Sequence, residues 1–443
     1  MPGQRQETRS RWGCMIWLYS RKRRKKCDET RPACKLCTER GVQCVYPDWT
    51  IVKYSRTRNQ ENRNKGSQLS PVGQPVLLPA QPRCTETKFI HHFNTIVAGL
   101  ITFTFPQLDT NPFILHVLPR TSNSTQVQRA VEAVAAAHLY HLGAESRERA
   151  TQLHSHALGL LAAELSSLQL DETSRINVLA GSLLLIYYEI VLGNSAENAW
   201  CHLHGAKVLL EYNQQSPEPP CFPFFRKVFQ YFNVMLALSM ERRPLLIAGH
   251  EGPEFTDKMD TVFGCTGRLW PLIHSLADLL GRAHLGEDVG QESEQLMGSL
   301  QAWSIESSPD PDAYLEAMVQ ISHAYKYSAM LMLRAAIPQN ENEMRYGCSR
   351  SQDQEIYRLA FDSVLRVCVL STPMATLTWP LYVVGRLATS ASDRTLILHI
   401  FAQFRAKHHM MVVDGAKSAV QSHWSEGLPQ WSQSGKAAPV LLG

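Results

Sequence analysis

Cys27-x6-Cys34-x2-Cys37-x6-Cys44 places four cysteines within 18 residues of a 443-residue chain. Thiols that close together form disulfides or bind a metal, and in a reduced compartment the metal is favoured. Thiolate is a soft anionic donor suited to tetrahedral zinc. The bland alternative, four unrelated small core residues, does not account for the spacing. Directly before Cys27 stands Arg21-Lys22-Arg23-Arg24-Lys25-Lys26. Six consecutive cations repel one another, and a phosphate backbone relieves that repulsion by releasing its counterions. A solvated charge run or a nuclear import signal has the same composition. Neither needs a metal beside it to hold the segment rigid at a fixed angle.

Other chemistry is poorly represented. The chain has no HExxH, Walker A, GxGxxG or GxSxG sequence, so the commonest motif-bearing enzymes are disfavoured. An all-helical enzyme with paired metals would want aspartates on a helix. The nearest candidate, Asp310-Pro311-Asp312, is broken by proline and reads as a helix start. Histidines pair at His138/His141, His154/His156, His202/His204 and His408/His409. Spacing of three puts the first pair near one helix face, while spacing of two makes the next two pairs diverge. They read as surface or satisfied core histidines, and Trp200 and Trp379 as packing anchors. The sequence reads as no enzyme.

The elements that must position the cysteines and cations fall into two electrical halves. Residues 1–66 hold 17 Lys and Arg against 6 Asp and Glu, and the remainder holds 27 bases against 34 acids. The net charge of +4 therefore hides a basic head on a mildly acidic body, which points to a polyanion partner for the head. Five of the 11 cysteines lie in the first 44 residues and the rest are scattered. The apolar run Met15–Tyr19 is too short for a signal sequence. Phe89–Leu108 and Val178–Leu192 both fall short of the ~20 clean apolar residues a membrane span needs, so the chain reads as soluble, intracellular and free of membrane.

With 44% hydrophobic and only 19% charged residues, most of the chain can bury a core. Residues 1–49 form the head. Residues 50–85, rich in Ser, Asn, Gln, Pro and Gly, read as a flexible linker, and no apolar heptad there supports a coiled coil. Residues 86–428 read as helical. Ser124 is a cap for a helix with Val127, Val131, Val134, Ala135, Leu139 and Leu142 on one face. Ala150, Leu153, Ala157, Leu161, Leu165 and Leu168 repeat the pattern, and Ile176–Leu192 is apolar all round. Further helical patterns cover 222–240, 270–300, 313–336, 353–371, 376–391 and 393–425. Residues 429–443 read as a loose tail. The fold class is all-α: a small zinc-stabilised module, a linker and a large helical body.

The head resembles the fungal zinc binuclear cluster transcription factors, in which six cysteines in C-x2-C-x6-C-x6-C-x2-C-x6-C bind two zinc ions. Cys27, Cys34, Cys37 and Cys44 take the third to sixth places, with Asp28-Glu29, Pro32, Gly41 and Tyr46 also in keeping. Arg21, Lys22, Arg23, Arg24, Lys25 and Lys26 fill the six positions of the family's recognition helix. The resemblance implies that Arg23 and Arg24 read guanine O6 and N7 in CGG-type half-sites of double-stranded DNA. The body resembles the helical regulatory domain that follows the cluster in some members. The pieces are Phe89-Ile90-His91-His92-Phe93, Asn111-Pro112-Phe113, Ala133–His138, Leu185–Glu189 before Gly193, Trp200 with His202–Ala206, and Trp379-Pro380-Leu381 with Gly385, Asp393 and Arg394.

One position breaks the pattern. The second cysteine of the family falls on Ser20, and Cys14 stands six residues before it instead of three. A serine hydroxyl stays protonated at neutral pH and is a poor zinc ligand. By family roles one zinc keeps Cys14, Cys34, Cys37 and Cys44, while the other keeps Cys14, Cys27 and Cys34 and lacks a ligand. A misplaced exon boundary would change both loop length and residue at once, and Met15–Tyr19 is oddly apolar for its place. The resemblance implies a nuclear, zinc-dependent regulator of RNA polymerase II genes. Its target would be a pathway or a secondary-metabolite cluster, with possible homodimerisation and a small-molecule or protein effector for the body. The alternative is a degenerate co-regulator that no longer binds DNA.

Overall fold

Glu172–Leu192 is the helix around which the body is built. Asp171 caps its start by accepting a hydrogen bond from the Ser174 amide at 2.8 Å, and Gly193 ends it in the left-handed region at φ 71°. From Ile176 to Leu192 every residue is buried. This is the one helix among the described residues long and apolar enough to cross a membrane, and 94% of its most apolar window is covered by protein. Packing on all sides accounts for that composition.

The computed structural model describes residue 38 and residues 84–103, 111–166, 171–212, 219–246, 259–305, 313–336, 348–370, 377–426 and 440–442. The chain divides into two compact units, 1–78 and 79–443, and the helices below belong to the second. In order they are α1 (Cys84–His92, continued by a π-helical turn, Phe93–Val97, and an α-helical turn, Ala98–Leu100), α2 (Pro112–His116), α3 (Thr125–His141), α4 (Arg147–Leu165), α5 (Glu172–Leu192), α6 (Ala196–Tyr212) and α7 (Phe222–Met240). There follow α8 (Trp270–His284), α9 (Gly290–Ala302), α10 (Ala313–Ala336), α11 (Cys348–Val369), α12 (Thr378–Leu387), α13 (Ala391–His408) and α14 (Val412–Glu426). Among the described residues the only extended pairing is one isolated bridge, Asp260 to Gly264. The all-α expectation is met.

Alanine explains how α3 enters the centre. Ala130, Ala133, Ala135, Ala136 and Ala137 are fully buried, and so small a surface lets α1, α4 and α5 all pack on it. Ser124 caps it as expected, accepting from the Val127 amide at 3.2 Å. The expected face is buried except Leu142, which is exposed just past the helix end. On α4, Ala150, Leu153, Ala157 and Leu161 are buried while Leu165 is exposed; Leu168 lies outside the described residues. Close approach of α3 to α5 is set at Gly181, where a Cβ would overlap the buried Gln126 side chain.

Two long helical patterns are each broken in two. The pattern over 270–300 splits into α8 and α9 because Gly286, at φ 84°, closes α8 with a bond from its amide to the Ala283 carbonyl. The pattern over 393–425 splits into α13 and α14 at His409, a non-glycine residue held at φ 53°. The Met411 amide beyond it donates to the Val191 carbonyl of α5 at 3.1 Å. That long-range bond holds the break, and nothing local in the sequence announces it. Within the stretch read as a tail, Leu441 and Leu442 are buried in the apolar core.

The short pieces behind the body's resemblance are packing points. Phe89 and Phe93 are buried, as are Trp200 and Trp379. Asn111 caps α2 through the Phe113 amide at 2.9 Å and donates to the Ala98 carbonyl at 2.9 Å. Both tryptophans are thus the anchors expected.

Candidate functional site

The cysteines and cations singled out in the head lie outside the described residues, namely Cys14, Cys27, Cys34, Cys37 and Cys44 with Arg21–Lys26. Donor chemistry alone tests their fit to zinc. Cys27, Cys34, Cys37 and Cys44 supply four soft thiolates, enough for one closed tetrahedral site. Cys14 adds a fifth, and Ser20 adds no anionic donor. Asp310-Pro311-Asp312 also lies outside the described residues.

In the body, polar side chains converge at two places. At the first, α1, α3 and the end of α13 bring His92, His138 and His408 together. The His408 carbonyl accepts from His138 Nε2 at 3.0 Å, which makes His138 Nδ1 the acceptor for His92 Nε2 at 2.9 Å. Burial favours the neutral form of both rings, in which each holds one tautomer. Burial is the main reason that His92 is pushed down to about 4 and His138 to about 3; Lys88 and His91 lower His92 further, and His92 lowers His138. His408 is likewise lowered to about 4, by burial first and then by Lys407 and His409. Neither of its ring nitrogens has a hydrogen-bond partner among the described residues. His141, three residues after His138, is lowered to about 4 by burial and by Arg405.

His408 also borders an apolar cavity of about 60 Å³, lined in part by Phe103, Tyr187, Tyr231 and Met410. That volume holds a few water molecules and is well below the ~300 Å³ of an ordinary ligand pocket. Its polar atoms are few. Burial raises both tyrosine hydroxyls, Tyr231 to about 12. The arrangement supplies no nucleophile paired with a base and no acid–base couple poised near neutrality.

At the second place, three consecutive helices each contribute one side chain. His154 comes from α4, Glu189 from the last turn of α5 and His202 from α6. His154 Nε2 lies 3.4 Å and His202 Nε2 3.8 Å from Glu189 Oε1. The Glu189 side chain is 1% exposed, and the imidazoles are 14% and 12% exposed. Tyr188 stacks on His154 with ring centres 4.0 Å apart. His156 and His204 point to solvent, so the spacing-of-two pairs diverge as expected. Sequence reasoning missed this convergence. Its only signal was Glu189, a lone carboxylate in an otherwise apolar helix.

The comparisons agree with the two-part organisation. A family profile described as the fungal specific transcription factor domain matches residues 88–428. A second, the fungal Zn(2)-Cys(6) binuclear cluster domain, matches residues 21–50. The second match includes Arg21–Lys26 and four of the cysteines, but neither Cys14 nor Ser20. No curated protein and no solved structure matches the chain. With one profile spanning most of the chain and a zinc-cluster profile ahead of it, the protein belongs to the fungal transcription factors that join a zinc binuclear cluster to a helical fungal-specific domain.

Proposed function

We propose that the protein is a zinc-dependent, sequence-specific DNA-binding regulator of RNA polymerase II genes, acting in the nucleus on a pathway or secondary-metabolite gene cluster. In this reading residues 1–49 bind DNA, 50–85 link, 86–428 regulate and 429–443 end the chain. Zinc supplies a rigid electrostatic centre when bound. Cys14, Cys34, Cys37 and Cys44 would hold one ion, and Cys14, Cys27 and Cys34 part of a second. The chain's own work is done by Arg21–Lys26. Arg23 and Arg24 engage guanine edges of CGG-type half-sites, and the neighbouring cations neutralise phosphates. A homodimer would read two half-sites, and the body would take a small-molecule or protein effector. A small molecule larger than a few waters would require the cavity beside His408 to widen.

The observation that carries this reading is the four-cysteine spacing placed directly after six cations. Selection of binding sites from a random duplex pool, using the full chain with and without zinc, tests it. Enrichment of CGG-containing duplexes only in the presence of zinc is expected. Enrichment of no sequence would overturn it. One observation favours a second reading, a co-regulator acting through protein contacts of the body: Ser20 stands where the second thiolate belongs. Fewer than two zincs per head together with no selected site would support that reading.

A further inference from the structure

Glu189 poses a problem that the fold alone does not answer. Its carboxylate is buried with His154, His202 and the Asn194 side chain around it, yet neither oxygen makes a hydrogen bond of ordinary geometry among the described residues, nor does the facing His154 Nε2. A buried ionised carboxylate without compensation is costly. An N–H···O hydrogen bond would bring the nitrogens to about 2.7–3.2 Å. The observed 3.4 and 3.8 Å are longer than that. They are close to the edge of a tetrahedron around zinc, where bonds of about 2.0–2.2 Å set neighbouring ligand atoms about 3.3–3.6 Å apart. All three ligand atoms lie within 4.8 Å of one another. We propose that His154, Glu189 and His202 form a metal site in the helical body, separate from the cysteine head, that takes zinc or a related divalent transition metal.

Two imidazoles and a carboxylate are a borderline, oxygen- and nitrogen-based donor set, suited to zinc and unlike the thiolates of the head. Three protein ligands leave a fourth tetrahedral position for water or an exogenous donor, and the partial exposure of both imidazoles gives that position an outlet. The supports are in place as well. Tyr188 stacked on His154 restricts the ring, and Gly193 anchors the end of α5 one residue short of Asn194, whose amide donates to the Glu189 carbonyl at 3.0 Å. A metal here would tie α4, α5 and α6 at one point.

The test uses the full chain carrying Cys14→Ser, Cys27→Ser, Cys34→Ser, Cys37→Ser and Cys44→Ser, which removes the head's thiolates and leaves the body intact. Zinc titration should show one bound equivalent and a rise in melting temperature. Zinc X-ray absorption should show nitrogen and oxygen ligands with two imidazole shells. Cobalt(II) should give the visible bands of a low-coordinate site without thiolate charge transfer. Adding His202→Gln or Glu189→Gln should abolish the bound equivalent while helicity by circular dichroism is kept. Should both variants lose helicity, the absorption spectrum of the five-serine chain still decides, since it needs no further substitution. No bound zinc, a sulfur shell, fewer than two imidazoles, or retention of the metal by a folded His202→Gln variant would each overturn the proposal.

Discussion

His408→Leu should make the helical body more resistant to acid. The imidazole is buried at the end of α13, its two nitrogens have no partner among the described residues, and its edge meets Phe404 with ring centres 6.3 Å apart. Its place in the structure is therefore that of an apolar side chain, and leucine is close to it in size. The bond from His138 goes to the His408 backbone carbonyl, which substitution leaves in place. At pH 7 the change should be small in either direction. At lower pH the two proteins should separate. In the unfolded chain an imidazole titrates near 6.5, whereas in the folded protein burial holds His408 at about 4. Between those values the unfolded state binds the extra proton, so stability falls as pH falls. The loss from this group begins near pH 6.5 and is complete below about pH 4.

The size of the effect follows directly. A separation of about 2.5 pH units corresponds to about 3 kcal/mol when fully expressed, and about 2 kcal/mol is already lost at pH 5. That is a large part of the roughly 5–15 kcal/mol that holds a domain together. Urea unfolding of the full chain and the His408→Leu chain at pH 7.5, 6, 5 and 4.5 measures it. The variant should be about 2 kcal/mol more stable than the parent at pH 5, and its slope against pH should be shallower by one proton. His92 and His138 lose stability in the same window, so the parent should show a steeper slope than one group explains. Glu189 does not interfere: its stabilising contribution is present above about pH 4.5 and is lost only as pH falls toward 2. Parallel loss of stability in the two proteins from pH 7.5 to 4.5 would refute the reasoning.

Four further outcomes are expected. Residues 1–66 should lose structure with a chelator and show thiolate–cobalt absorption, because they contain too few large apolar residues to fold without metal; circular dichroism with and without zinc checks this. If DNA is bound, removing one phosphate-contacting cation from Arg21–Lys26 should reduce the log–log salt slope by roughly 0.9, and Arg24→Ala should cost about 1–3 kcal/mol at a single base position. Trp379→Ala should destabilise the body by about 3–5 kcal/mol, since the ring is fully buried beside Tyr325, as read by urea unfolding at pH 7. Sequencing the expressed transcript should reveal a different junction around Met15–Ser20 that restores the second cysteine; messages that all encode those residues as written would refute a misplaced boundary.

The helices that sequence reasoning located best are those whose information is local. Ser124 and the apolar face after it mark α3, and the all-round apolar run Ile176–Leu192 marks α5, because caps and periodicity act within a turn or two. The break between α8 and α9 had a local signal in Gly286 that the long apolar pattern masked. The break at His409 had none. A histidine at positive φ is uncommon, and there it is held by the Met411-to-Val191 bond, made by residues 220 positions apart. Local rules have no access to such a constraint.

The same distinction separates the two candidate metal sites. In the head, the candidate ligands follow one another along the chain, so spacing alone points to the chemistry, and the resemblance to the six-cysteine family is what marks Ser20 as out of pattern. In the body, His154, Glu189 and His202 are 35 and 13 residues apart. Each taken singly has an ordinary explanation: a histidine on a half-buried face, a carboxylate interrupting an apolar helix, a histidine beside a packed tryptophan. What makes them a set is the crossing of α4, α5 and α6, and that crossing is decided by apolar neighbours such as Leu153, Tyr188 and Leu203, all of them buried. Glu189 is the informative residue of the three. An apolar helix buried on every side gains nothing from a charge near its end unless something answers that charge. A lone ionisable group in such a helix is therefore the feature whose surroundings decide whether it is a defect of packing or one ligand of a site.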